Sequence, residues 1–169
     1  MIEREKKFLV SNIPNLTGFR HSTIKQGYIS APPSPLRIRQ KDDQFELTKK
    51  LSLKEGNYSS AEEINLPLTE SEFKKLWPLV ENSLEKIRYY IGLEDGHIAE
   101  LDIFDGPLKG LFLVEVEFAS EAKMNSFQPP AWFGREVTGD AFSANSFLAG
   151  KTFEEIKDLI ETMNSPLII

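Results

Sequence analysis

Acidic and basic side chains recur at every second residue in several stretches of this sequence. Glu3, Glu5 and Lys7 share one parity, as do Arg37 and Arg39, and then Glu46, Thr48 and Lys50. Lys86 and Arg88 stand opposite Ile87 and Tyr89, Glu100 and Asp102 opposite Leu101 and Ile103, and Glu115 and Glu117 opposite Val114, Val116 and Phe118; Glu63 alternates with Ile64. Residues two apart on a β-strand share a face, so each stretch reads as a strand with one charged and one apolar side. For any single strand the ordinary meaning is a solvated face over a core. Taken together the rows say more, because most of the neighbours two apart carry like charges, which repel and need partners elsewhere. A sheet closed or nearly closed on itself supplies them by bringing every charged row onto one interior, with the apolar rows outside beneath helices. That interior would hold the acids Glu3, Glu5, Glu46, Glu63, Glu100, Asp102, Glu115 and Glu117 against the bases Lys7, Arg37, Arg39, Lys50, Lys86 and Arg88. Uncompensated ions there cost several kcal/mol each, so the space must be wet and cross-paired, with surplus carboxylate available for cations. Hard oxygen donors without His or Cys select Mg²⁺ or Mn²⁺ rather than zinc. The bases suit an oxyanion of several charges that also chelates the metal, and a polyphosphate chain meets both demands.

The elements that must position these rows are strands near 2–10, 24–30, 36–40, 44–51, 60–66, 84–91, 98–104 and 112–119, judged from alternation, β-branched and aromatic content and flanking turns. Ser30 to Pro35 is a Pro-rich break, Lys41-Asp42-Asp43 a tight link, Glu55-Gly56-Asn57 a loop and Asp95-Gly96 a hairpin signal, so neighbours should pair antiparallel. Two amphipathic helices open on capping boxes. Thr69 with Glu72 precedes Phe73, Leu76, Trp77 and Val80, and Thr152 with Glu155 opens a C-terminal helix over about 152–163. Shorter helices are expected at Ser120–Phe127 and within Ala141–Leu148. The fold class is therefore α+β, mainly β: an eight-stranded antiparallel barrel with a charged lumen and flanking helices, in a single domain over residues 1–169.

Composition bounds the function. The chain has 169 residues, 26 acidic and 20 basic side chains, a net charge of −6 and no cysteine. The acidic balance disfavours nucleic acid and anionic membranes as partners. Disulfides, thiolate metal sites and cysteine nucleophiles are excluded. The charged start Met-Ile-Glu-Arg-Glu-Lys-Lys is unlike a secretory signal, and no stretch reaches the roughly 20 apolar residues of a membrane-spanning helix, so a cytoplasmic protein is expected. Gly150-Lys151-Thr152 resembles the end of a phosphate-binding loop, but Asn145 stands where the first Gly belongs, and helix capping accounts for it. His21 and His97 receive no role, and Trp77 and Trp132 read as packing residues.

Glu3-Arg4-Glu5-Lys6-Lys7 resembles the Glu-x-Glu-x-Lys opening of the triphosphate tunnel metalloenzymes, the CYTH superfamily. Gln26-Gly27-Tyr28, Leu36-Arg37-Ile38-Arg39, Glu85-Lys86-Ile87-Arg88-Tyr89, Glu100-Leu101-Asp102-Ile103-Phe104, Val114-Glu115-Val116-Glu117-Phe118 and Trp132 to Thr138 follow in the order of that family, most like its short bacterial tripolyphosphatase branch. The resemblance implies an eight-stranded tunnel that binds a triphosphate, with divalent metal on an acidic wall of Glu3, Glu5, Glu100, Asp102, Glu115 and Glu117. It implies phosphate contacts from Lys7, Arg37, Arg39, Lys50, Lys86 and Arg88, with Tyr28 near one mouth, and Glu5, Glu63, Lys86 and Arg88 in the catalytic step. The chain departs from the family at Asp140-Ala141-Phe142-Ser143-Ala144-Asn145, where relatives carry a basic, tyrosine-containing stretch, and at Ala61, where they tend to carry an acid. The expected activity is metal-dependent hydrolysis of inorganic tripolyphosphate to pyrophosphate and phosphate. Its rivals are a class IV adenylyl cyclase, a thiamine or nucleoside triphosphatase, and a non-catalytic polyphosphate-binding module. The partner is a small polyphosphate, and a homodimer is left open.

Overall fold

The computed structural model describes the backbone of residues 2–30, 35–52 and 60–164, and side chains at 4–30, 35–49 and 63–161. The strands are β1 (Ile2–Val10), β2 (His21–Ser30), β3 (Leu36–Lys41), β4 (Gln44–Ser52), β5 (Ser60–Leu68), β6 (Asn82–Gly92), β7 (Ile98–Phe104), β8 (Phe112–Glu117) and β9 (Phe133–Glu136). The helices are α1 (Glu70–Leu76), α2 (Glu121–Ser126), α3 (Asn145–Leu148) and α4 (Phe153–Asn164). The nine strands form one antiparallel sheet in the order β5-β4-β3-β2-β6-β7-β8-β1-β9, and β5 also pairs with the start of β1 through Ile2↔Glu62, Glu3↔Ala61 and Arg4↔Ser60. The expected loop at Glu55-Gly56-Asn57 and most of the Ser30–Pro35 break lie outside the described residues. No described helix is long and apolar enough to cross a membrane.

All eight expected strands form, and β9 adds a ninth that alternation could not reveal. It has four residues, of which Phe133 is buried while Arg135 and Glu136 are exposed, and it joins the sheet where the register of β1 shifts between Phe8 and Val10. Gly134 allows this close approach, since a Cβ there would lie 3.1 Å from the Leu9 carbonyl oxygen. Strand β2 starts three residues earlier than expected because its pairing with β6 continues to His21↔Tyr89. The capping boxes form as the sequence implies: the Glu72 carboxylate accepts from the Thr69 backbone N–H at 2.7 Å, and Glu155 accepts from that of Thr152 at 2.8 Å.

Among the described residues, most of the buried apolar side chains fall in two clusters. Phe8, Ile91, Leu101, Val114, Val116 and Phe118 form the outward rows and pack against Phe127, Phe133 and Met124, so the α2 segment covers that face as expected. Helix α1 covers the outward side of β4, with the rings of Phe73 and Phe45 5.1 Å apart between centroids. The second cluster corrects the expectation that every helix lies outside. Tyr28, Leu84, Phe104 and Leu113 share faces with the charged residues, yet they pack against Phe142, Leu148 and Ile156. The segment running from 141 through α4 therefore seats on one end of the charged face, where β2, β6, β7 and β8 end their polar rows with Tyr28, Leu84, Phe104 and Leu113.

Candidate functional site

Antiparallel pairing sets the charged rows beside one another. Glu5 pairs with Glu117 and Lys7 with Glu115 across β1 and β8, Glu100 with Glu115 across β7 and β8, Arg88 with Asp102 across β6 and β7, and Arg39 with Glu46 across β3 and β4. Acids thus gather on β1, β7 and β8, and bases on β3 and β6. Between them β2 presents the neutral Ser22, Gln26 and Tyr28, all buried.

Arg88, reaching over from β6, ties the acidic strands together. Its Nε and Nη2 donate to the two oxygens of Asp102 at 2.6 Å each, Nη2 also donates to Glu115 at 2.8 Å, and Nη1 meets Glu100. Lys86 donates to the same Asp102 at 2.5 Å and to the Asn145 amide oxygen at 3.1 Å. Lys7 bridges Glu115 at 3.1 Å and Glu5 at 3.3 Å. Across the face, Arg39 pairs with Glu46 at 2.5 Å, while Arg37 donates to Thr48, whose hydroxyl in turn donates to Asn65 at 2.7 Å.

Burial and neighbouring charge set the proton affinities. Burial pulls the Lys86 ammonium down to about 8, against the pull of Asp102. Burial acts the same way on Lys7, but Glu115 and Glu5 outweigh it and hold that ammonium well above its ordinary value. Glu115 is held well below the usual carboxylate range because Lys7, Arg88 and Lys86 overcome the effect of burial. Glu100 and Glu117 go the other way: burial raises both, Glu115 adds to each, and Glu5 adds to Glu117. Burial and then Arg37 lower Arg39, and the charge of Glu63 acts on both Arg39 and Glu117, so Glu63 faces both sides.

The described side chains Glu5, Lys7, Arg37, Arg39, Glu63, Lys86, Arg88, Glu100, Asp102, Glu115 and Glu117 thus fall on one face and interact. For Glu3 and Lys50 only the backbone is described: Glu3 keeps the parity of Glu5, and Lys50 pairs with Glu63. Tyr28 sits at the covered end rather than at an opening, 7% exposed and accepting from Gln26 at 2.8 Å. Asn145, on α3, reaches Lys86 from a segment that strand alternation does not include. Asn65 carries no charge and so leaves no pattern, its parity with Glu63 being the available signal, whereas Gln26, neutral as well, is marked only by its place in the Gln26-Gly27-Tyr28 match.

The arrangement bears on metal binding. Among the described residues no three acids are already gathered to hold an ion, since Arg88 and Lys7 engage Asp102, Glu100, Glu115 and Glu5. Yet like charge and burial raise Glu100 and Glu117, and a cation held by hard oxygen donors relieves both effects. The residues fit a divalent ion.

Residues 1–123 match the family model of the CYTH domain. Over 154 residues the chain is 44% identical to an inorganic triphosphatase of Nitrosomonas europaea, covering 88% of this chain and 97% of that one. It is 32% identical over 157 residues to an inorganic triphosphatase of Acetivibrio thermocellus, covering 92% of this chain and 98% of that one. A crystal structure of an inorganic triphosphatase superposes with a TM-score of 0.66 at 39% identity, over 87% of this chain and 93% of the other.

Proposed function

The chain belongs to the CYTH domain family, and from that premise we propose that it is a divalent-metal-dependent hydrolase that cleaves inorganic tripolyphosphate to pyrophosphate and phosphate. The observation that carries this reading is the division of one interior face into a basic side on β3 and β6 and an acidic side on β1, β7 and β8. The first suits a short anionic chain, and the second would hold its metal. We take the pairing of β5 with β1 to round the sheet into a tunnel, and residues 1–169 to be one domain, because the C-terminal segment packs on the same inward face as the strands.

Arg37, Arg39, Lys50 and Lys86 bind non-bridging phosphate oxygens, and Lys7 adds a further contact from the acidic side. Guanidinium groups suit this task because their fork matches two oxygens at once. Glu3, Glu5, Glu100, Glu115 and Glu117 would hold the metal, Mg²⁺ or Mn²⁺, whereas Asp102, expected on that wall too, has both oxygens taken by Arg88 and Lys86. When bound, the ion supplies charge neutralisation and a lowered pKa for attacking water. Glu63, facing both sides, orients that water as an acceptor. Lys86 keeps its proton at neutral pH and donates from Nζ to the departing oxygen, helped by Arg88, so the developing charge meets fixed donors. Asp102, fully buried between Lys86 and Arg88, holds both cations in place.

The same face argues for a bare triphosphate over a nucleotide. Its apolar end, where an adenine ring could seek stacking, is filled by Phe142, Leu148 and Ile156. The test is a phosphate-release screen over tripolyphosphate, ATP and thiamine triphosphate with each metal. Release from tripolyphosphate at least about tenfold more efficient than from ATP supports the reading, about 1.4 kcal/mol in transition-state binding. Cyclic AMP as a product would replace it with the cyclase.

A further inference from the structure

The basic side does not stop at Arg39 and Arg88. Two residues further along the same faces stand Lys41 on β3 and Tyr90 on β6, roughly 7 Å beyond. The chain enters β2 between them, and the Arg20 carbonyl accepts the Tyr90 backbone N–H at 3.0 Å. The Arg20 guanidinium lies 3.9 Å from the centre of the Tyr90 ring and Lys41 Nζ 5.1 Å from it. Two cations therefore share one aromatic ring, at the end of the face away from Phe142.

Among the described residues neither cation is within ion-pair distance of a carboxylate. The adjacent Asp42 accepts hydrogen bonds from Ser22 and Thr23, the Thr23 backbone N–H at 2.9 Å, and acts on Lys41 only through its charge, without an ion-pair contact. The Tyr90 hydroxyl oxygen is buried and, among the described residues, has no hydrogen-bond partner. Two unpaired cations held close together repel, and a buried hydroxyl without a partner costs free energy, so the group is incomplete as it stands. An anion with several oxygens would complete it, accepting from the guanidinium, the ammonium and the phenol. Because the ring already carries two cations, it is poorly placed to stack on a nucleobase.

We propose that Arg20, Lys41 and Tyr90 form an outer phosphate subsite, which takes the phosphoryl group of a linear polyphosphate lying next beyond the one held by Arg39. Tetrapolyphosphate and longer chains place their outer end there. The proposal rests on the triphosphatase reading for its catalytic consequence, but its binding step can be measured separately.

The experiment compares the wild type with the double variant Arg20→Gln, Lys41→Gln on tripolyphosphate and tetrapolyphosphate at low and high salt. The variant is expected to lose at least about fivefold more kcat/KM on tetrapolyphosphate than on tripolyphosphate, a gap that narrows in salt. Tyr90→Phe should shift the ratio the same way by less. Equal losses on the two substrates would overturn the subsite. If the wild type hydrolyses neither chain, the triphosphatase reading fails, and calorimetric titration of metal-free tetrapolyphosphate still decides the subsite. Binding at least about fivefold weaker in the double variant upholds it, and equal binding overturns it.

Discussion

Replacing Arg88 with Met should loosen the protein by an amount that depends on pH and on metal. The guanidinium contacts Asp102, Glu115 and Glu100. Breaking a buried ion pair by removing one partner ordinarily costs about 3–5 kcal/mol. Here Asp102 keeps Lys86 at 2.5 Å and Glu115 keeps Lys7 at 3.1 Å, so only Glu100, half-buried, loses its cation. The expected loss at pH 7.5 without metal is therefore nearer about 2–3 kcal/mol, or about 4–12 °C in Tm for a domain of this size. Burial and neighbouring acids already raise the Glu100 carboxyl, and without Arg88 it rises further. A carboxyl whose folded pKa lies above its unfolded value costs nothing while both states are protonated and costs most above the folded value. The deficit relative to wild type should accordingly shrink between pH 7.5 and pH 5.5. Millimolar Mg²⁺ should also shrink it by supplying the missing positive charge. Urea denaturation of both proteins at the two pH values, with and without Mg²⁺, measures this. A deficit below about 1 kcal/mol, or one indifferent to both pH and metal, would refute the view that Arg88 holds the acidic side together.

Three further perturbations test other parts of the site. Because Lys86 is held at about 8, kcat/KM for tripolyphosphate should be level below that pH and fall above it as the ammonium is lost, and Lys86→Arg should remove the decline from a pH-rate profile. Arg39→Ala should raise KM more than about tenfold while changing Tm little, since water can replace a half-buried guanidinium but the phosphate loses a two-pronged donor; steady-state kinetics beside thermal melts check it. Phe142→Ala should cost about 3–5 kcal/mol by emptying a site that is 2% exposed at the covered end, and calorimetric melting reads that loss.

Much of this was legible in the sequence because a strand repeats every two residues. Parity alone puts Glu5 with Lys7, Lys86 with Arg88, Glu100 with Asp102 and Glu115 with Glu117 on one side of each strand, and the like-signed spacing of most of these pairs, which requires partners on other strands, is what joins the rows. Parity says nothing about where along a strand the polar row ends. Leu84, Phe104 and Leu113 share faces with the charged residues, and only the packing of Phe142, Leu148 and Ile156 against them shows that this end is covered. Nor could periodicity find Asn145 beside Lys86, since it comes from a four-residue helix 59 positions away. The short β9 was hidden for the same reason: four residues are too few for an alternation to stand out from chance.

Hydrolysis of an inorganic triphosphate on this polarised face, with the help of a divalent ion, can be followed by its products. Phosphorus NMR of tripolyphosphate incubated with the wild type and with Glu5→Gln, each with and without Mg²⁺ or Mn²⁺, tests it most directly. The wild type with metal should yield equal amounts of pyrophosphate and phosphate, and removing either the metal or the Glu5 charge should stop the reaction in a protein that still folds. Cleavage that persists unchanged in the variant or in chelator, or no cleavage by the wild type under any of these conditions, would contradict it.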